Sequence, residues 1–523
     1  MAKQTYPLGG SYENKDNPAI RIFGDRFHND QSLYEYLIEF LLVFSSAKSK
    51  DGSGEMSFHE GEPLSYFVKP RNGLRRFIFF DKARRTKRVP ADEYANEKIK
   101  SILMKHIEAD KDSEKEDFLQ AVQDLFRGYA AVLKKRSWCA QSLLPLCPEM
   151  IFCEEMPNDN YRLKWDKGTD SEKENFRYQF QKERGVGPEY SLEDTFFDAS
   201  FDLTRHNFLA RGGEIYYLHL MQVLKDDEES KQHLQALLVH LLTDKSGDFS
   251  KLANWIQDTW EKERKIDPEL LVKEMKIGYI PDKAYLRSGK CAVDELICFL
   301  SNQLHPVKRV ELIAKGIMLQ IMRMQVERTE EYLAIGRQPW IIDMRSKGNN
   351  TIKQLSANSF NMISESIISA INTNIISNRD PSAESIDLSE EYKLFVKARK
   401  ESLDVFKGKG KEIQCIIPSN GPNERFSISE DVVKFLVLSL VPPGEKMGLD
   451  SFLKKLYEHY SFVIGPMEFK RCGMTDGMDY ALTNSFDKNK EAFQQFLKEA
   501  GFLRDLSDAT SIVVNPYKGV ELE

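Results

Sequence analysis

From residue 307 to residue 336, just after Pro306, the apolar side chains Leu312, Ile313, Ile317, Met318, Ile321 and Met322 recur at helical spacing, joined by Met324 and Val326. An apolar face that broad predicts a long helix buried on more than one side, a spine around which neighbouring elements pack. Its methionines fit a packed core better than a plastic partner groove. A chain of 523 residues is too long for one core, and with 41% hydrophobic and 30% charged residues it is globular rather than disordered. The expected fold is mainly α (α+β): a multidomain helical protein with short strands.

Further amphipathic helices are predicted over residues 31–44 with Asp30 as N-cap, and over 92–108, 113–135, 249–263 and 292–303. WIIDM, residues 340–344, predicts a short buried strand, and Ser356 is expected to cap a helix carrying Phe360, Ile363, Ile367 and Ile371. Pro145 and Pro148 break an apolar stretch, and residues 378–387 have a linker's composition. These features divide the chain into residues 1–150 (an N-terminal α+β domain), 151–380 (a helical middle domain), 381–424 (a basic helix and linker) and 425–523.

Charge is unevenly spread. Residues 69–88 carry Lys69, Arg71, Arg75, Arg76, Lys82, Arg84, Arg85, Lys87 and Arg88 against the single acid Asp81, a net +8 in a chain of formal charge −7. Between them Phe77, Ile78, Phe79 and Phe80 predict a buried strand, so the arginine-rich flanks form a positive surface suited to phosphate backbones. The acidic segment 108–117 is the competing partner for those arginines. A second basic segment, residues 393–411, contains Lys393, Lys397, Arg399, Lys400, Lys407, Lys409 and Lys411, and its KGKGK end is expected to be flexible.

Catalytic signatures are weak. Asp202, Arg205, His206, Arg211, Gly212, Gly213, Glu214 and His219 form a polar group in which the Gly-Gly pair could let backbone approach a nucleotide, with His206 and Glu214 as acid–base candidates. A Gly-Gly turn before a helix, with core histidines, explains the same residues more simply. His233 and His240 share a helix face with apolar neighbours and are expected in the core. Asp343, followed by Arg345 and Lys347, resembles the acid–basic pattern of metal-dependent nucleases, but the acid-x-lysine spacing is wrong and a second acid is not identifiable. The seven cysteines are scattered without ligand hooks, which fits a reducing compartment and predicts neither metal nor cofactor. The start of the chain lacks an apolar leader, and no run is long enough to span a bilayer, so a cytoplasmic protein without membrane contact is expected.

Residues 425–523 read as three amphipathic helices followed by a hairpin over residues 502–517, with Gly501 closing the third helix. That order resembles a winged helix-turn-helix domain. The region is net acidic, which implies docking on protein rather than reading DNA. The chain as a whole is similar to accessory subunits of prokaryotic restriction and antiviral defence systems. The basic segments suggest a non-catalytic adaptor that binds nucleic acid, with DNA the expected form, through residues 69–88 and secondarily 393–411, and the resemblance implies that it works beside an ATPase or nuclease subunit. The alternatives are a metal-dependent nuclease at Asp343, a nucleotide-acting enzyme at His206 and Glu214, and a protein scaffold without nucleic-acid contact.

Overall fold

A computed structural model describes residues 17–24, 27, 31–49, 64–68, 73–79, 90–132, 142–151, 156–157, 167–185, 187–189, 191–192, 195, 201–202, 212–243, 247–263, 272–278, 280, 284–345, 348–379, 387–473, 480–507 and 510–522. The protein is mainly helical, with short strands. The first half contains α1 (Pro18–Phe23), α2 (Leu33–Ser45), β1 (Leu64–Val68), α3 (Gly73–Phe79), α4 (Pro90–Lys105), α5 (Asp112–Arg127), β2 (Ala130–Val132), β3 (Ser142–Leu143), β4 (Met156–Pro157), α6 (Asp170–Arg184), β5 (Phe201–Asp202), α7 (Gly212–Leu224), α8 (Glu228–Thr243), α9 (Gly247–Glu263) and β6 (Lys273–Gly278). The second half contains α10 (Leu286–Leu300), α11 (Pro306–Leu333), β7 (Trp340–Ile341), α12 (Asn350–Ser377), α13 (Leu388–Lys400), α14 (Leu403–Glu412), β8 (Ile416–Ile417), β9 (Arg425–Phe426), α15 (Glu430–Leu440), β10 (Lys446–Gly448), α16 (Leu449–Tyr460), β11 (Phe462–Val463), α17 (Pro466–Arg471), α18 (Tyr480–Glu499), β12 (Leu503–Ser507) and β13 (Thr510–Val514).

The spine is α11, 28 residues and so about 42 Å long. It packs against α1, α2, α7, α10, α12, α14 and α15, which buries it on several sides as its broad apolar face predicts. Gly316 lies where any Cβ would collide with the Phe435 ring, so its hydrogen lets α15 lie close on α11. Burial on all sides also encloses polar groups, among them Arg309, Arg323, Glu327 and Glu330. Such groups must find partners within the protein, which is what creates the polar network described below.

Several local expectations are corrected. The N-cap of α2 is Ser32, whose N–H donates to the Glu35 carboxylate at 2.6 Å, half of a capping box; Asp30 lies outside the described residues. The α12 helix begins six residues before Ser356, capped by the Asn349 side chain. Ser356 itself is buried, and its hydroxyl donates to the Phe426 carbonyl. KGKGK is not a flexible tail but the end of α14. Lys409 is buried there, and a Cβ on Gly410 would strike Ile416 and Met322. Phe77, Ile78 and Phe79 are helical in α3 rather than a strand. A short apolar run fits either period, and here α4, α5 and α9 close around it as helices do.

In the C-terminal region β10 lies between α15 and α16, and it pairs with β13, which pairs with β12, all antiparallel. Gly501 adopts φ 83° just past α18. The insertion between α16 and α18 supplies β11, which pairs in parallel with β7, matching Phe462 to Trp340 and Val463 to Ile341. One apolar cluster runs from Ala19 to Val513, and a smaller one gathers Ile341, Ile352, Val463, Phe469 and Phe486 around this pairing.

Candidate functional site

Of the nine cations in the N-terminal basic stretch, Arg75 and Arg76 are placed in α3, and they are 3% and 2% exposed. Lys69, Arg71, Lys82, Arg84, Arg85, Lys87 and Arg88 lie outside the described residues. The helix around Arg75 and Arg76 is stapled by its neighbours. Asn96 donates to the carbonyls of Arg76 and Phe77 at 2.9 and 3.1 Å, and Arg127 donates to the Ile78 carbonyl at 3.0 Å. Two arginines expected on a phosphate-facing loop are therefore interior. On the acidic segment, Asp112 and Glu114 pair with Lys115 and Lys111 on their own helical turn.

The polar group before α7 resolves into packing. Gly212 and Gly213 open α7, and a Cβ on Gly213 would strike the backbone of Tyr36 and Phe40, so the backbone that approaches closely is α2 rather than a ligand. The Gly213 N–H donates to Glu39 at 2.6 Å, and Glu214 accepts from the Tyr66 hydroxyl at 2.7 Å. His219 is fully buried beside Ser288, and burial pushes its imidazole down to about 3, so it stays neutral. Arg205, His206 and Arg211 lie outside the described residues. His233 and His240 are not core residues: His233 is exposed and His240 half-buried, on the outer side of α8. Asp343 is 3% exposed. Its carboxylate accepts from Arg425 at 2.7 Å and from the Arg345 N–H at 2.7 Å, the arrangement of a structural staple.

The second basic segment divides in the same way. Lys409 donates to the Gln31 carbonyl and Glu412, Lys411 pairs with Glu424 at 3.0 Å, and Lys407 lies over the Phe360 ring. On α13, by contrast, Lys393, Lys397, Arg399 and Lys400 are all exposed. Lys393, Lys397 and Lys400 fall at i, i+4 and i+7, a stripe about 10 Å long on one face. Beside that stripe Tyr392 and Val396 are 68% and 45% exposed, with Leu388 one turn earlier at 70%. Large apolar side chains and lysines thus stand side by side on one exposed helix.

The most concentrated chemistry was not visible as a motif. Glu295 on α10 is buried, and Arg323 on α11 grips its carboxylate with two hydrogen bonds of 2.9 Å. His459 Nδ1 lies 2.7 Å from Glu295 Oε1, and the Tyr460 hydroxyl donates to Oε2 at 2.6 Å. Arg323 also donates to the His459 carbonyl at 2.9 Å and stacks over the Tyr460 ring. Burial alone would raise the Glu295 carboxyl, but Arg323 and His459 outweigh it and hold it below the usual range. Burial would likewise lower His459, but hydrogen bonds with Cys291 and Glu295 raise it to about 9. Only two local signs of this network exist in sequence. They are an acid inside the apolar run of α10 and an arginine on the apolar face of α11.

Ligand atoms of Cys291, Glu295 and His459 lie within 4.8 Å of one another, close enough to surround one ion. The donor set argues against that use. The carboxylate already takes part in four hydrogen bonds, two of them from a guanidinium, and a protonated imidazole offers no lone pair. What the arrangement does is join α16 to α10 and α11 by charge. Because His459 is raised in the folded protein, its contribution to stability is complete below about pH 6.5 and is lost as pH rises through about 9. Denaturant titrations at successive pH values are expected to show a loss on the order of 3 kcal/mol across that window. The loss should be absent in His459→Gln.

Among the described residues no helix is long and apolar enough to cross a membrane. Comparison with known proteins adds no relative: no family model, no curated protein and no solved structure matches this chain.

Proposed function

We propose that this chain is a non-catalytic, cytoplasmic adaptor subunit that binds nucleic acid, DNA in the first instance, within a multiprotein DNA-processing or antiviral defence complex. The observation that carries the proposal is the exposed face of α13, where Lys393, Lys397 and Lys400 run beside Tyr392. Lysines track a phosphate backbone while an open aromatic ring offers a stacking platform for unpaired bases. Lys397 and Lys400 make no ion pair among the described residues, so their charge is available to phosphates. The sequence assigns the same role to Lys69, Arg71, Lys82, Arg84, Arg85, Lys87 and Arg88, which lie outside the described residues. Arg75 and Arg76 leave it, because both are interior.

The C-terminal elements support a winged-helix reading. The strand β10, between α15 and α16, pairs with the hairpin that follows α18, giving the sheet order β10-β13-β12. In the proposed adaptor this net-acidic unit docks on partner subunits.

Titrating labelled single-stranded and duplex DNA at several salt concentrations tests the proposal. Affinity is expected to fall linearly with log salt. The variant Lys393→Glu/Lys397→Glu/Lys400→Glu should reduce that slope by about 2–3, one unit for each phosphate that a lysine no longer neutralises. Tyr392→Ala should weaken single-strand binding by about 1–3 kcal/mol. Arg84→Glu/Arg85→Glu tests the N-terminal stretch. Absence of binding at low salt, or binding indifferent to both charge reversals, would overturn the reading.

A further inference from the structure

Cys291 lies one helical turn before Glu295 on α10, half-buried, with its sulfur beside the His459 ring. His459 Nδ1 is held by Glu295, and thiol, imidazole and carboxylate lie within 4.8 Å of one another. Two further cations, Arg323 and Arg337, are close enough to feel the charge of this sulfur. Among the described residues Glu295 is the acid that meets the cluster, and Arg323 already neutralises it. On the same helix Arg287 pairs with Glu330, and Asp294 pairs with Lys290, so neither adds a net charge at the sulfur. Other described thiols have different surroundings. Burial pushes Cys298 and Cys415 up to about 12, and raises Cys147 as well, while Cys472 is half-buried and donates to the Phe469 carbonyl.

We propose that Cys291 is a nucleophilic thiol, paired with His459 and oriented through Glu295, that reacts with small soft electrophiles and in particular with peroxides. A thiolate is the reactive form of cysteine, and an adjacent imidazolium in an electropositive setting favours it. In the reaction the thiolate sulfur attacks one peroxide oxygen and the O–O bond breaks. Sulfur loses two electrons and becomes a sulfenic acid, and the peroxide is reduced. The proton on His459 passes to the departing hydroxide, which leaves as water. Because His459 belongs to the helix that Glu295 and Arg323 hold, oxidation at Cys291 would remove the anion facing the imidazolium at the junction of α10, α11 and α16.

The test uses the full chain and site-resolved mass spectrometry, with iodoacetamide and hydrogen peroxide as probes. At pH 7 iodoacetamide is expected to alkylate Cys291 at least about tenfold faster than Cys472. Cys472 is the internal reference. Peroxide should give sulfenic acid at Cys291 at least about tenfold faster than at Cys472. His459→Gln should slow Cys291 alone. The wild-type ratio of the two rates decides the matter if that variant fails to fold. A Cys291 rate no greater than that of Cys472 would overturn the proposal. So would stoichiometric zinc in the purified protein that protects Cys291, because the cluster would then be a metal centre.

Discussion

Replacing Arg323 with methionine is expected to lower the unfolding free energy by about 3–5 kcal/mol, the usual penalty for leaving one member of a buried ion pair without its partner. The guanidinium supplies two hydrogen bonds to Glu295, one to the His459 carbonyl and one to Gln320, and its side chain is only 6% exposed. Methionine fills much of the volume, so the loss measures charge and hydrogen bonding rather than a cavity. The double variant Arg323→Met/Glu295→Gln removes the stranded carboxylate and should regain part of the loss. Denaturant unfolding of the single and double variants checks both statements. A change below about 1 kcal/mol in Arg323→Met would mean that the pair is no more than a surface bridge in effect.

The second large effect is expected at Gly213. An alanine Cβ there meets the Tyr36 carbonyl oxygen and the Phe40 nitrogen, and backbone in the middle of α2 cannot step aside as a flexible side chain can. The two helices must separate, and the Glu39 bond to the Gly213 N–H stretches with them. Gly213→Ala should therefore destabilise by about 3 kcal/mol, the upper end of overpacking penalties. Gly247→Ala is the control. It also lies in the first turn of a helix, but a Cβ there has open space around it, and the change should stay within about 0.5 kcal/mol. Thermal melts of the two variants side by side separate a steric cause from a general intolerance of alanine.

What could be read in advance follows from how local each signal is. Helices such as α11, α15 and α16 announce themselves because their apolar periodicity extends over three or more turns. The misassigned α3 shows the opposite case: seven residues hold too few repeats to choose a period, and tertiary neighbours decide. Burial of Arg75 and Arg76 is likewise a property of what closes over them, since a run of like charges in sequence reads as surface. The network around Glu295 was illegible for a different reason. Its members Cys291, Glu295, Arg323, His459 and Tyr460 come from three helices, and no spacing within one segment brings them together. Cys291 and Glu295 alone share a helix face, and a cysteine followed four residues later by an acid carries little information without the histidine opposite.

The pairing of β7 with β11 sets a timetable for the nascent chain. The Trp340 and Ile342 N–H groups donate to the carbonyls of Ser461 and Val463, that of Asp343 to Phe426, and that of Met344 to the Asn489 side chain. Every one of these acceptors is synthesised later than the donor. At about 5–20 residues per second, a ribosome needs on the order of ten seconds to pass from the first strand to Asn489. Early in that interval Trp340, Ile341 and Ile342 have the helix that follows them but lack the strand Phe462–Val463 and the Asn489 side chain that complete their burial. A binding chaperone, or a partner subunit made alongside, would find its substrate in this segment before the C-terminal elements arrive to cover it.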